Sequence, residues 1–162
     1  MANAGRVRTP QLLHLVVCLA VLAAGCRGVS PTAPTGDPTL TGTWAGTFAG
    51  ALVAGDGMAE LTQDGDTVTG NWSAPMPASL VALGAPSAVP LAGPVTGAAT
   101  GTTAELTFGF AEAFHPYFGN PDCGLAVSVT SFDATMLMAN WTTNASCQPP
   151  VNDSGTLTFT RQ

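Results

Sequence analysis

Between Thr39 and Arg161 apolar side chains recur at every second position in short runs broken by glycine, proline, asparagine and aspartate, and no run holds a 3.6-residue period. Alternation of this kind belongs to half-buried strands, because successive side chains of an extended chain point to opposite faces. Eight strands are predicted, over residues 39–48, 57–64, 67–74, 89–98, 102–111, 125–133, 134–142 and 155–161. Asp64-Gly65-Asp66 joins the second to the third, and the fourth and fifth meet around Ala99-Thr100-Gly101; glycine and aspartate tolerate the positive φ of a tight hairpin. Consecutive hairpins without crossover helices make an antiparallel meander, and eight strands suffice to close one into a barrel with no exposed edge. The expected fold class is therefore all-β, an eight-stranded antiparallel up-and-down barrel. The competing all-β arrangement, an open sandwich, differs in whether the last strand pairs with the first.

Two strands carry glycine two residues before tryptophan, Gly42–Trp44 and Gly70–Trp72, and Ala139 stands in the same relation to Trp141. Residues two apart on a strand share a face, so inside a narrow barrel each small residue is expected to make room for the neighbouring indole. The tryptophans are then core residues first. Trp72, Phe108, Phe110 and Trp141 are expected to line whatever space the barrel interior leaves, with Val68 and Leu106 nearby.

Gly42-Thr43-Trp44 on the first strand, with Arg161 at the end of the last, resembles the calycin superfamily of lipocalins, fatty-acid-binding proteins, avidins and bacterial metalloprotease inhibitors. The resemblance implies that Arg161 packs over Trp44 and closes the barrel base, a cation–π contact of about 0.5–2 kcal/mol depending on burial. Thr69-Gly70-Asn71-Trp72 on the third strand is similar to the avidin pattern. Ala45 follows Trp44 where avidins place a larger polar or aromatic residue, so the biotin site is not carried over.

Residues 1–25 are built as an export signal and are set aside from the fold. Arg6 and Arg8 precede an apolar run over residues 12–24, too short for a membrane span of about 20 residues. Leu22-Ala23-Ala24-Gly25-Cys26 resembles the lipobox of bacterial lipoproteins, with Ala23 where that family prefers leucine. The resemblance implies cleavage before Cys26, diacylglycerol on its thiol and an acylated amine. Arg27 rather than aspartate follows, which by the family's sorting rule implies the outer membrane. Residues 26–38, rich in proline, threonine and glycine, then read as a tether reaching about 30–35 Å. The barrel domain spans residues 39–162.

The four cysteines divide accordingly: Cys18 leaves with the signal, Cys26 carries lipid, and Cys123 and Cys147 remain as an even pair in an exported chain, expected to form a disulfide. No metal is expected, since two cysteines and one remaining histidine fall short of four zinc ligands.

The chain has no lysine, and past residue 25 only Arg27 and Arg161 face ten carboxylates. That excludes nucleic acid and anionic lipid headgroups as partners, and every lysine-based mechanism. His115, in Phe114-His115-Pro116-Tyr117, is the one neutral-pH base left, and no Gly-x-Ser-x-Gly elbow or other nucleophile context accompanies it or Asp122. No enzyme and no cofactor are expected. Asp64-Gly65-Asp66 lacks the further ligands of a calcium loop. Glu60 and Glu105 belong on the solvent face of their strands. The sequons at Asn71, Asn140, Asn144 and Asn152 are incidental if the signal is bacterial.

The segment 74–94 is long, apolar and proline-punctuated, with Met76, Leu80, Val81, Leu83 and Leu91. It is expected to fold over the barrel mouth as a lid or packing flap. Two functions stay open: a non-enzymatic barrel that binds a small apolar ligand, and a loop-mediated protein-interaction module, such as a protease inhibitor, with a filled barrel.

Overall fold

A computed structural model describes residues 38–51, 53–82, 84–118, 120–147 and 152–162. The signal segment, Cys26, the tether up to residue 37 and Leu83 lie outside the described residues. Eight strands follow one another: β1 (Gly42–Gly50), β2 (Gly55–Asp64), β3 (Thr67–Ala74), β4 (Leu91–Thr100), β5 (Thr103–Gly109), β6 (Gly124–Phe132), β7 (Met136–Thr143) and β8 (Ser154–Arg161). Each pairs antiparallel with the next, and β8 pairs with β1, so the barrel is closed and the open sandwich is excluded.

Alternation sets the two faces. In β5, Ala104, Leu106 and Phe108 are buried while Thr103, Glu105 and Thr107 face solvent; in β8, Leu157 and Phe159 are buried between exposed threonines. One strand breaks phase. In β6 the buried set Leu125, Val127, Val129 gives way to Phe132, an odd offset, and the register with β7 shifts between Val129 and Ser131. This bulge inserts one extra residue and turns Phe132 inward opposite Leu137.

The connections sort by length onto two ends. Short turns at residues 65–66, 101–102 and 133–135 close one end; Gly65 and Gly101 take positive φ there, at 58° and 60°. The other end carries residues 51–54, 75–90, 110–123 and 144–153. The sequence shows no helical period, and the structure adds only short turns of helix inside these loops: α1 (Ala78–Ala82), a 3₁₀ turn (Glu112–Phe114) and α2 (His115–Phe118). Pro77 starts α1, its carbonyl accepting the N–H groups of Leu80 and Val81 at 3.0 and 3.1 Å.

The 75–90 connection packs against the barrel, as a lid or flap would: Leu80 and Ala85 join the core, with Met76 partly buried against it. Phe114 of the 110–123 loop is buried as well, and Ala111 N–H bonds Ala92 O at 2.7 Å, tying that loop to the start of β4. Cys123 and Cys147 form a disulfide, Cα–Cα 4.5 Å, linking the 110–123 loop to the 144–153 loop.

Candidate functional site

The turn-bearing end is closed by Trp44 and Arg161. The guanidinium carbon stands 4.5 Å from the indole centroid. Its Nη1 donates to Thr41 O at 2.7 Å and its Nη2 to Thr39 O. Trp44 Nε1 donates to Leu40 O at 2.8 Å, so residues 39–41 are tied to the base from both sides. Gly42 does not make room for the indole, contrary to the expected glycine–tryptophan pairing. It has φ 142°, and a Cβ there would lie 3.2 Å from Arg161 Nη1. The missing side chain admits the guanidinium.

Gly70 corrects the same expectation at Trp72. A Cβ there would lie 2.1 Å from the backbone oxygen of Glu60, so the glycine lets β2 and β3 approach closely. Trp141 finds its space on the neighbouring strands, at Gly155, its partner on β8, and at Gly50 beside that on β1: Cβ atoms at Gly50 and Gly155 would lie 2.4 and 2.9 Å from its Cζ2.

Toward the loop-bearing end the interior is a cluster of rings built around Phe48. Its ring centroid lies 5.6 Å from Trp72, 6.4 Å from Phe108, 6.4 Å from Trp141 and 5.5 Å from Phe159. Trp72 also stacks at a tilt on Phe108 at 5.6 Å and on Phe110 at 5.9 Å. The structure thus places Trp72 in contact with Phe108 and Phe110, and joins Trp141 to them through Phe48. Phe48 and Phe159 are absent from the expected lining. The signal for Phe48 lies in Leu40, Trp44 and Phe48, which share one face at four-residue spacing.

No polar or charged side chain is buried among the described residues. The other two indole N–H groups are also consumed by backbone, Trp72 Nε1 by Gly109 O at 2.8 Å and Trp141 Nε1 by Thr156 O at 3.1 Å. Nothing in this interior can orient a polar solute.

The remaining candidates put no side chain among these rings. His115 is half-buried, with Nε2 at 3.1 Å from Phe110 O. Asp122 belongs to a loop turn, its N–H bonded to Asn120 Oδ1 at 2.9 Å and its carbonyl accepting from Asn144 Nδ2 at 2.8 Å. Glu60 and Glu105 are exposed, and Glu105 Oε2 accepts the Ser128 hydroxyl at 2.7 Å. Sequence reasoning missed Asp153, whose carboxylate accepts the N–H groups of Ala51, Val53 and Ser154 at 3.1, 3.0 and 2.8 Å and pins the 51–54 loop to the start of β8. Among the described residues no cluster of three or more His, Cys, Asp or Glu could hold a metal ion, and no helix is long and apolar enough to cross a membrane.

No family model matches the chain, and no curated protein matches it in sequence. A solved structure does share the fold. The barrel resembles EF1p2_mFAP2b. That structure, determined bound to DFHBI, superposes with a TM-score of 0.55 at 15% identity, over 76% of this chain and 94% of its own. At this identity the likeness is one of fold: a closed eight-stranded antiparallel barrel, consistent with a lipocalin- or avidin-like architecture.

Proposed function

We propose that the protein is a non-enzymatic, lipid-anchored binding module that takes up a small apolar or aromatic ligand at the loop-bearing end of its barrel. The observation that carries this reading is the ring cluster Phe48, Trp72, Phe108, Phe110 and Trp141, with no buried polar side chain among the described residues and with Leu80 and Phe114 of two long loops buried in the same core. A site of this composition gains affinity from buried apolar area and only coarse selectivity from shape. The EF1p2_mFAP2b barrel bound to DFHBI lends support at the level of fold. Because rings already occupy the interior, uptake requires the 75–90 and 110–123 segments to yield.

The filling of the interior favours a second reading, in which the barrel is a rigid support and the loops bind a protein partner. Tryptophan fluorescence separates the two. In the first, neutral quinones or fatty acids titrated into the Cys26→Ser protein quench or shift the emission of Trp72 and Trp141, and Trp72→Phe weakens the response. Unchanged emission with every such probe refutes the carrier and leaves the loop-mediated module.

Export and anchoring at Cys26, toward a bacterial outer membrane, are part of the proposal; Arg6, Arg8, the apolar run over residues 12–24 and the small residues before Cys26 support them. Mass spectrometry of the membrane fraction is expected to find an acylated N-terminal Cys26, and Cys26→Ser to release the protein. A wild type that is soluble and unacylated contradicts it.

A further inference from the structure

The wall of the barrel opens between β2 and β3 toward the loop-bearing end. The β2–β3 ladder runs from Asp64 opposite Thr67 to Met58 opposite Ser73 and stops. Beyond that point β2 continues beside β1 as far as Gly55, and β3 beside β4 as far as Ala74 opposite Leu91. Gly57 and Ala74 thus lie beyond the last paired rung, and residues 55–56 run past the end of β3 with no strand on that side. The gap is a groove of about 400 Å³, with Asp56, Met58, Ser73, Ala74, Pro75 and Pro90 on its walls. Gly57 lies in the groove as bare backbone; a Cβ there would lie 2.5 Å from Cε2 of Phe48, so an aromatic ring sits directly behind it.

A smaller groove of about 200 Å³ shares Met58 and Ser73 and continues down the same wall to Glu60 and Asn71. Asp56, Met58 and Glu60 alternate along β2 and all face solvent, with Met58 44% exposed. Two carboxylates thus flank an exposed thioether, roughly 13 Å apart along the strand at about 3.3 Å per residue. Neither forms an ion pair among the described residues. Arg161, the one arginine or lysine among them, is engaged at the base by Trp44, Thr39 and Thr41.

We infer that this groove is a binding site for a small organic cation with an apolar body. The body lies on the Met58 thioether, Ala74 and the two prolines, where it removes apolar surface from water. The ammonium meets Asp56, and Glu60 adds to the same negative field. An anion of the same shape meets two unneutralised carboxylates on a chain of formal net charge −6. The site is on the outer wall and is independent of uptake into the ring cluster.

The test uses the Cys26→Ser protein and three probes of equal chain length, octyltrimethylammonium, octanol and octanoate, each below its aggregation concentration, followed by amide NMR shifts. The expected result is shifts centred on Gly57, Met58 and Ser73, with octyltrimethylammonium bound about 1.5- to fivefold more tightly than octanol, the range of an exposed charge pair, and octanoate weakest. Asp56→Asn is expected to abolish the advantage of the cation, and Glu105→Gln, on β5, to leave it intact. Equal affinity for octanoate, an unaltered preference in Asp56→Asn, or shifts centred on Phe108 and Trp141 would each overturn the assignment.

Discussion

Phe48→Ala tests whether the barrel is a filled solid. Phe48 is 2% exposed and makes ring contacts with Trp72, Phe108, Trp141 and Phe159 at centroid distances of 5.5–6.4 Å. Phe→Ala in a core costs about 3–5 kcal/mol. Aromatic pairs add about 0.5–1.5 kcal/mol each beyond their area, so four partners place this site at the upper end, about 4–5 kcal/mol. In a domain of this size, about 3–6 °C per kcal/mol gives a fall in Tm of roughly 12–30 °C. The void is walled by rings and stays dry, as apolar cavities do. Benzene or indole at ten times its Kd is then expected to restore about 1.4 kcal/mol. The measurement is urea and thermal unfolding of wild type, Phe48→Ala and the milder Phe48→Leu, each with and without the added aromatic. A loss below about 2 kcal/mol in Phe48→Ala, or no aromatic-dependent gain in either variant, would refute the filled-core argument.

Arg161→Ala removes two hydrogen bonds and a cation–π contact, and is expected to cost about 2–3 kcal/mol and to speed amide exchange at Thr41 and Thr43; unchanged exchange there contradicts the clamp. Reduction of Cys123–Cys147, which closes a 24-residue separation, is expected to cost about 3 kcal/mol in the chain-entropy model; identical urea midpoints with and without reductant contradict it. The carboxyl of Asp133 is held below its ordinary 3.8, first by the Thr135 N–H, then by the Met136 N–H and the Thr135 hydroxyl. Its contribution is full above the unfolded value and is lost as pH falls through the folded one. Asp133→Asn should therefore flatten the stability profile below about pH 4, and a carbon-detected titration should give Asp133 a midpoint under that of free aspartate; a midpoint at or above it refutes the reasoning.

Eight strands and their order could be read from alternation because each strand has one wet and one dry face, a local property written in every second residue. Phe132 shows what defeats such a reading: a bulge leaves only a phase break between Val129 and Phe132, visible once the structure explains it. The glycines show another limit. Gly42 answers to Arg161, Gly70 to the backbone at Glu60, Gly50 to Trp141, and Gly155 first to the Ala49 backbone and then to Trp141. None of these partners is the tryptophan two residues along the strand, and a single strand carries no record of which distant atom will occupy a missing side chain. Trp72, Phe108, Phe110 and Trp141 could be assigned to the interior for the same reason as the strands. That Phe48 would join them into one packed cluster depended on barrel closure. The rim groove had no signature at all, since it comes from a ladder that ends one residue early.

The base of the barrel also separates the order of strands in the wall from their order along the chain. Arg161 holds the carbonyls of Thr39 and Thr41, and Gln162 N–H bonds Thr43 O at 2.9 Å, so the two ends of the described barrel lie side by side. A few glycines and serines would join Gln162 to Pro38, and the ring could be reopened at the turn over residues 101–102, where no side chain is buried. In such a circular permutant β5 becomes the first strand and β4 the last. The loops around the ring cluster keep their places at the far end, which makes the geometry of that end independent of where the chain is cut.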